Sequence, residues 1–558
     1  MRLLGANKNV SLLILVALLM GLTGLTGAPL VTADSNAGGV ISENTTWTAA
    51  NSPYVITASA VVNVGVTLTI DAGVTVRFES GKALQVDGEL IARGTEAEPI
   101  VFTSSQASVA PGDWVNVSFI DSSIDATYDG VGNYVSGSIL QYCTVQYGGG
   151  GDTAVIAVLS SSPLIDRCNI QNNSGGGILV DGGSPRISNN TIRNNSATFG
   201  GGIHLWRDAA VLVVGNTIRD NVAWHGGGVE IGWVEATIRG NTITNNSATK
   251  GGGIDTVGTV TITDNGIGYN TAEGDSAAGG GIFAQGGTVV ITNNDIYNNS
   301  TGGNGGGISA TGGTFNIANN IVRDNSADAG GGIHGGTGAI ITGNAITGNS
   351  AYNGGGIFAS GGTIRSNTIR GNSASSGGGG IFCNPGSQDT VLVEYSNVVD
   401  NSGNGITIYG QLTSVSPSTV HSNNIYSNEP YSIANESEVG IPEVDATGNW
   451  WGTTDEASIE GSIHDWNDDA SLGRVVYQPF ATAPVSEAPP MQHALTLSST
   501  TGGSVTTPGE GTFAYAGGTA VDLVAEADEG YRFVNWTGNV GTVANVSAAS
   551  TAITMNGD

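Results

Sequence analysis

Residues 189–203 read NNTIRNNSATFGGGI, residues 240–254 read GNTITNNSATKGGGI and residues 343–357 read GNAITGNSAYNGGGI. One unit recurs: an apolar residue, an asparagine three positions later, then a glycine run closed by a second apolar residue. The closing residue falls at Ile178, Ile203, Val229, Ile254, Ile282, Ile308, Ile333, Ile357, Ile381 and Ile406, at intervals of 24 to 28 residues. The asparagine column runs Asn195, Asn221, Asn246, Asn270, Asn299, Asn325, Asn349, Asn372, Asn401 and Asn428. A fixed period of this size marks an architecture in which each unit buries its apolar face only by stacking on its neighbours.

The unit is one coil of a parallel β-helix. Short β-branched runs such as Thr259-Val260-Thr261-Ile262 alternate between two faces, helical periodicity is missing, and the units are too short for strand–helix–strand crossovers. With coils stacked at the strand spacing, like positions align in ladders and every backbone N–H and C=O meets a partner in the next coil. About 17 coils at ~4.8 Å predict a rod near ~80 Å long. Inward Ile and Val columns form the core. Asparagine is expected to take the left-handed backbone of a tight bend and to bond the amides above and below it. Glycines serve the other corner, where no side chain is wanted.

Composition agrees with a repeat and restricts function. The 558 residues include 89 glycines and only 11% charged residues, far from ordinary globular usage. Arg2 and Lys8, the apolar run Val10 to Met20 and small residues through Ala33 follow the order of a secretory signal peptide, 1–33. The protein is therefore expected to be secreted or displayed at the cell surface. No later segment is long and apolar enough to span a membrane, so none is expected in the mature chain. A formal charge of −30 argues against nucleic acid, whose phosphates need clustered Lys and Arg. Cys143 and Cys168 share a ladder position one coil apart and read as stacked thiols, with a disulfide as the alternative, and Cys383 faces inward. No cofactor is implied, and Ca²⁺ has no supporting motif.

Stacked coils with asparagine at the bends resemble the pectate-lyase-like right-handed β-helix superfamily. The Asn-Ser-Ala…Gly-Gly-Gly-Ile units are similar to those of polymorphic outer-membrane proteins and related adhesins. The likeness covers 38–480: first coils 38–135, Gly/Asn-rich repeats 136–430 and an end segment 431–480. Gly65-Val66-Thr67-Leu68-Thr69-Ile70 through Pro99-Ile100-Val101-Phe102-Thr103, and Gly448-Asn449-Trp450-Trp451-Gly452 leading to Pro479-Phe480, are similar to the first and last coils of exported β-helix proteins. The tryptophans, with Asp465, Asp468 and Asp469, read as an end cap, with a sugar platform as the alternative. The adhesins' outer-membrane barrel is absent, and the Asp calcium ligands and Arg base that the lyase resemblance implies find no match in the coils.

Residues 481–492, rich in Pro and Ala, read as a linker. Beyond it, 493–558 resembles a divergent internalin-B-type bacterial repeat. Strands are expected at Leu495–Leu497, Gly503–Val505, Val521–Ala525 and Gly530–Trp536, the last with the Gly-Tyr-x-Phe-x-x-Trp motif supplying a small core. The resemblance implies a further strand after Met555, so the repeat reads as truncated.

Chemistry concentrates on three coils. The residue after each closing apolar position is expected to point to solvent, and these are His204, Glu230 and Asp255. Trp206, Arg207, Trp224, His225 and Trp233 lie nearby. Aromatic faces pack on the C–H faces of pyranose rings, so these five are candidate carbohydrate contacts, or else rim residues shielding a sheet. Glu230 and Asp255, about 5 Å apart in one ladder, have a spacing that raises one carboxyl pKa and suits acid/base or nucleophile chemistry on a glycoside, with His204 beside them. Stacked surface carboxylates are the alternative. The leading functional reading is an adhesin-like, non-catalytic scaffold that binds polysaccharide or a surface partner through its lateral face. A polysaccharide lyase or glycosidase, and a structural spacer or surface-layer component, are the others.

Overall fold

The computed structural model describes residues 35–386, 389–410, 418–438, 443–490, 492–516 and 518–555. The expected signal peptide, 1–33, lies outside them. The coils are three-sided. One side is a sixteen-stranded parallel sheet from Ser35–Asn36 through Thr191–Arg193 to Asn424–Tyr426. The other two sides belong to a second sheet that takes consecutive strands from each coil, such as Ile178–Gly183 and Arg186–Ser188. Register is strict: Ile192 pairs with Ile218, Ile218 with Ile243 and Ile243 with Ile267. Ile178, Ile203, Val229 and Ile254 are likewise stacked, and all are fully buried. Sixteen strands stand where 17 coils were expected, because Trp450 in the last turn meets Asn424 only as an isolated bridge.

The asparagine column is a continuous hydrogen-bonded ladder. Asn195 Nδ2 donates to Asn221 Oδ1 at 3.1 Å and to the Ile170 carbonyl at 3.0 Å, while its backbone N–H donates to the same Asn221 oxygen. The pattern repeats to Asn428. Each net bond contributes about 0.5–1.5 kcal/mol, and the larger effect is that the ladder's own buried amides pair with one another. A second ladder, not anticipated from the sequence, runs at the preceding corner through Asn190, Asn216, Asn241, Asn265, Asn294, Asn320, Asn344 and Asn367. It passes through Ser396 to Asn423 and Asn449.

The left-handed backbone is not on the ladder asparagines. It falls one residue earlier, at Asn194, Asp220, Asn245, Tyr269, Asn298 and Asp324. The ladder residue must turn its amide inward, so its neighbour absorbs the bend. At the glycine corner the reason for glycine is proximity: a Cβ on Gly228 would sit 2.6 Å from the Gly253 carbonyl oxygen.

Trp451 is buried in the core at the far end, and buried Asp465 accepts the N–H groups of Asn467 and Val475, as an end cap requires. Cys143, Cys168 and Cys383 are free and buried. Burial pushes the Cys383 thiol up to about 12 and raises that of Cys143. The expected linker is pinned along the last strands of the sixteen-stranded sheet: Val485 N–H donates to Asn424 Oδ1 (2.8 Å) and Asn397 Nδ2 to the Pro489 carbonyl (2.7 Å).

In the C-terminal module Gln492–Leu497 pairs with Gly511–Ala516, and Ala520–Ala527 pairs with Gly503–Thr507 and Ser550–Thr554, all antiparallel. Leu495, Leu497, Val505, Val521, Leu523, Ile553 and Met555 form its core. Gly530–Trp536 is not a strand. Tyr531 and Val534 are exposed, and only Trp536 packs on the core, its indole N–H donating to the Ala548 carbonyl at 3.0 Å. Ser550–Thr554 supplies the third strand of that sheet, beside Ala520–Ala527.

Candidate functional site

The residue following each buried Ile leaves the sheet outward, and register stacks these positions as Ala157, Leu179, His204, Glu230, Asp255 and Phe283. Along this column the side chains grow from Ala157 to His204, so the floor of the face rises. A cleft of about 470 Å³ opens at the step, reaching across three coils from Asp152 to Trp206. Its size lies within the range of ligand clefts.

One wall is aromatic. The Phe199 and His204 rings are 5.8 Å apart at 29°, and His204 and Trp206 are 5.9 Å apart at 49°. Phe199 is half exposed and stacks also on His225 at 5.7 Å. Trp206 lies over Gly232, where a Cβ would come within 2.3 Å of its ring. Leu179, Ser174, Thr198, Asp152 and Asp181 supply other parts of the lining. Arg207, exposed at the rim, pairs with Asp181 at 2.9 Å.

Behind the wall stand two imidazole–carboxylate pairs. His204 Nε2 lies 2.8 Å from Glu230 Oε2, close but not aligned as a hydrogen bond, since that oxygen has no partner of good angle. His225 Nδ1 and Asp255 Oδ2 are hydrogen-bonded at 2.7 Å. Glu230 and Asp255 were expected in solvent; instead they are only 7% and 6% exposed, because the imidazoles bend back over them. Burial is the dominant influence on Asp255 and holds its carboxyl above the ordinary range, against the opposing hydrogen bond from His225; Glu230 adds to the rise. The two carboxylates are Cα partners in the ladder, yet neither lines the cleft. Their geometry suits orienting His204 and His225.

The structure thus gathers His204, Trp206, His225, Glu230 and Asp255 around one wall and places Arg207 at the rim. Trp224 and Trp233, 62% and 69% exposed, are not part of the cleft lining. Sequence reasoning missed Phe199, Asp152 and Asp181. For Phe199 a signal existed: in its column, Phe199-His225-Lys250-Ala278-Asn304-Ala329, ring side chains stand only at the first two positions. Among the described residues no group of three or more His, Cys, Asp or Glu side chains could hold a metal ion, and no helix is long and apolar enough to cross a membrane.

Among known families, the right-handed beta helix region matches residues 101–218, 201–363 and 303–449. The pectate-lyase like beta helix domain matches 39–154, and the divergent InlB B-repeat domain matches 493–558. No curated protein matches the chain. Among solved structures it is similar to the Dettilon tailspike protein, at 14% identity over 85% of this chain and 71% of that one, with a TM-score of 0.24. It is also similar to a mutant tailspike protein of E. coli bacteriophage HK620 in complex with pentasaccharide, at 11% identity over 90% and 84% of the two chains, with a TM-score of 0.21. Neither likeness is close enough to bear on the cleft. The three overlapping matches between residues 101 and 449 take in more than half of the 558 residues, and the chain belongs to the right-handed β-helix family.

Proposed function

We propose that this is an exported, adhesin-like β-helix that binds polysaccharide in the cleft between Asp152 and Trp206 without cleaving it. The observation that carries the reading is the continuous Phe199–His204–Trp206 wall beside hydroxyl and carboxylate groups, the mixture a pyranose chain requires. A site spanning three coils also runs along the helix axis, which suits an extended polymer. Export is supported by the order of charged, apolar and small residues in 1–33. Glu230 and Asp255, the carboxylate pair that the sequence offers for chemistry on a glycoside, both lie behind imidazoles and outside the cleft lining. That favours binding over turnover.

A glycan array read with the mature chain, followed by titration of the best oligosaccharide, tests this. Phe199→Ala and Trp206→Ala are each expected to weaken binding about threefold to tenfold, the range of a lost aromatic contact, with circular dichroism unchanged and no sugar released. Binding indifferent to both substitutions refutes the site. Product release that Glu230→Gln or Asp255→Asn abolishes refutes the non-catalytic reading.

A further inference from the structure

We infer that the glycan held in this cleft carries free amino groups, as in a glucosamine polymer, and is not a polyuronate; this rests on the binding reading above. The lining contributes two carboxylates, Asp152 and Asp181, and no lysine or arginine. Arg207, the cation at the rim, is already engaged by Asp181. Asp152 is exposed and forms no salt bridge among the described residues, and Glu230 places another carboxylate behind His204. A uronic acid polymer brings one carboxylate per ring and is recognised by arginine or lysine forks. Here a uronate carboxylate beside Asp152 would meet like charge, and Arg207 at the rim is already paired. The whole chain, with 47 acidic against 17 basic residues, repels such a polymer on approach and attracts a cationic one.

The complementary ligand follows from the same inventory. An ammonium group on a pyranose ring can pair with Asp152 while the ring's C–H face lies on Phe199 or Trp206, and a cation close to these rings gains further from their π faces. Asp152 sits at φ 59°, a backbone that asparagine tolerates, so its charge can be removed without disturbing the loop.

The test is titration of the mature chain with three oligosaccharides of equal length: fully deacetylated glucosamine, N-acetylglucosamine and galacturonate. The deacetylated oligomer is expected to bind tightest and to weaken with salt. Asp152→Asn is expected to lower its affinity about threefold, the scale of one exposed charge pair, and to leave the N-acetylated oligomer unaffected. A control, Asp328→Asn on a distant exposed position, is expected to change nothing. Equal or tighter binding of galacturonate, parity of the two glucosamine oligomers, or equal loss in the Asp328 control overturns the inference. If Trp206→Ala still weakens the preferred ligand, the binding reading survives that failure. If no oligosaccharide binds, or Trp206→Ala is silent, both fall together.

Discussion

Removing one rung from the middle of the first asparagine ladder is expected to open the helix locally at Asn325. Its Nδ2 donates to the Ile296 carbonyl (2.9 Å) and to Asn349 Oδ1 (3.0 Å), and its Oδ1 accepts from the Asn299 backbone N–H (2.9 Å) and Asn299 Nδ2 (3.0 Å). Asn325→Ala deletes these four bonds. Asn299 Nδ2 keeps the Ile267 carbonyl, and Asn349 Oδ1 keeps the Asn325 N–H. The Asn299 N–H and the Ile296 carbonyl lose these partners in a buried site. At about 1–3 kcal/mol for each such group, the loss is about 2–6 kcal/mol. The second ladder suggests a milder variant. There Ser396 accepts the Asn367 N–H through its hydroxyl at 3.2 Å and the ladder continues. Asn325→Ser should therefore cost about half as much. Contacts in a solenoid are confined to neighbouring coils, so hydrogen exchange read by mass spectrometry is the suitable assay. Faster exchange is expected in peptides spanning 296–349 and not near residue 100. An effect under about 1 kcal/mol in those peptides, or a serine as harmful as the alanine, refutes the account.

Acid should loosen the coil at His334, whose imidazole is pulled down to about 4 by burial. Because the unfolded chain takes up the proton first as pH falls, the stability present above pH ~6.5 is lost between there and about 4, to the extent of about 3 kcal/mol. His334→Phe, which prolongs the ring stack onto Phe358 at 5.0 Å, should flatten that part of the profile in thermal melts at pH 7 and 4.5; an unchanged slope counts against it. Gly228→Ala should destabilise by about 1–3 kcal/mol through overpacking, whereas Gly266→Ala, with open space at its Cβ, should be neutral; equal denaturant midpoints would contradict this. The three buried thiols should resist alkylation at pH 8 until the chain unfolds, so modification of native protein at free-thiol rates argues against the packing.

The fold was legible because its stabilising interactions are periodic. Ile203, Val229 and Ile254, 25 or 26 residues apart, are the core, and Asn195, Asn221 and Asn246 are the ladder. Legibility ended where one residue could satisfy only one of two demands. Asparagine suits both an amide ladder and a left-handed bend, but Asn246 spends its amide inward and leaves the bend to Asn245. In the C-terminal module, the alternation in Gly530–Trp536 looks like a strand. It forms none, and Ala520–Ala527 is flanked instead by Gly503–Thr507 and by Ser550–Thr554, both apart from it in sequence. Pairing choices of that kind are invisible to local pattern.

The site was legible in direction but not in depth. The rule that alternate residues leave a strand on opposite faces places His204, Glu230 and Asp255 outward correctly. It cannot tell that imidazoles from the neighbouring coil and corner will cover the carboxylates, since cover depends on side-chain length across coils. The same reasoning explains why Phe199 was missed and why Trp233, outside the cleft lining, was grouped with the others: each was read within its own unit rather than down its column. In a regular solenoid every coil presents nearly the same face, and a uniform face has no cleft. Concavity requires a column to change size, as it does from Ala157 through Leu179 to His204, and specificity requires a corner column to depart from its small residues, as it does at Phe199 and His225. The two departures meet in the coil that carries Phe199 and His204. The proposed cleft therefore lies where the repeat is broken, and the repeat itself is the support that keeps those departures in place.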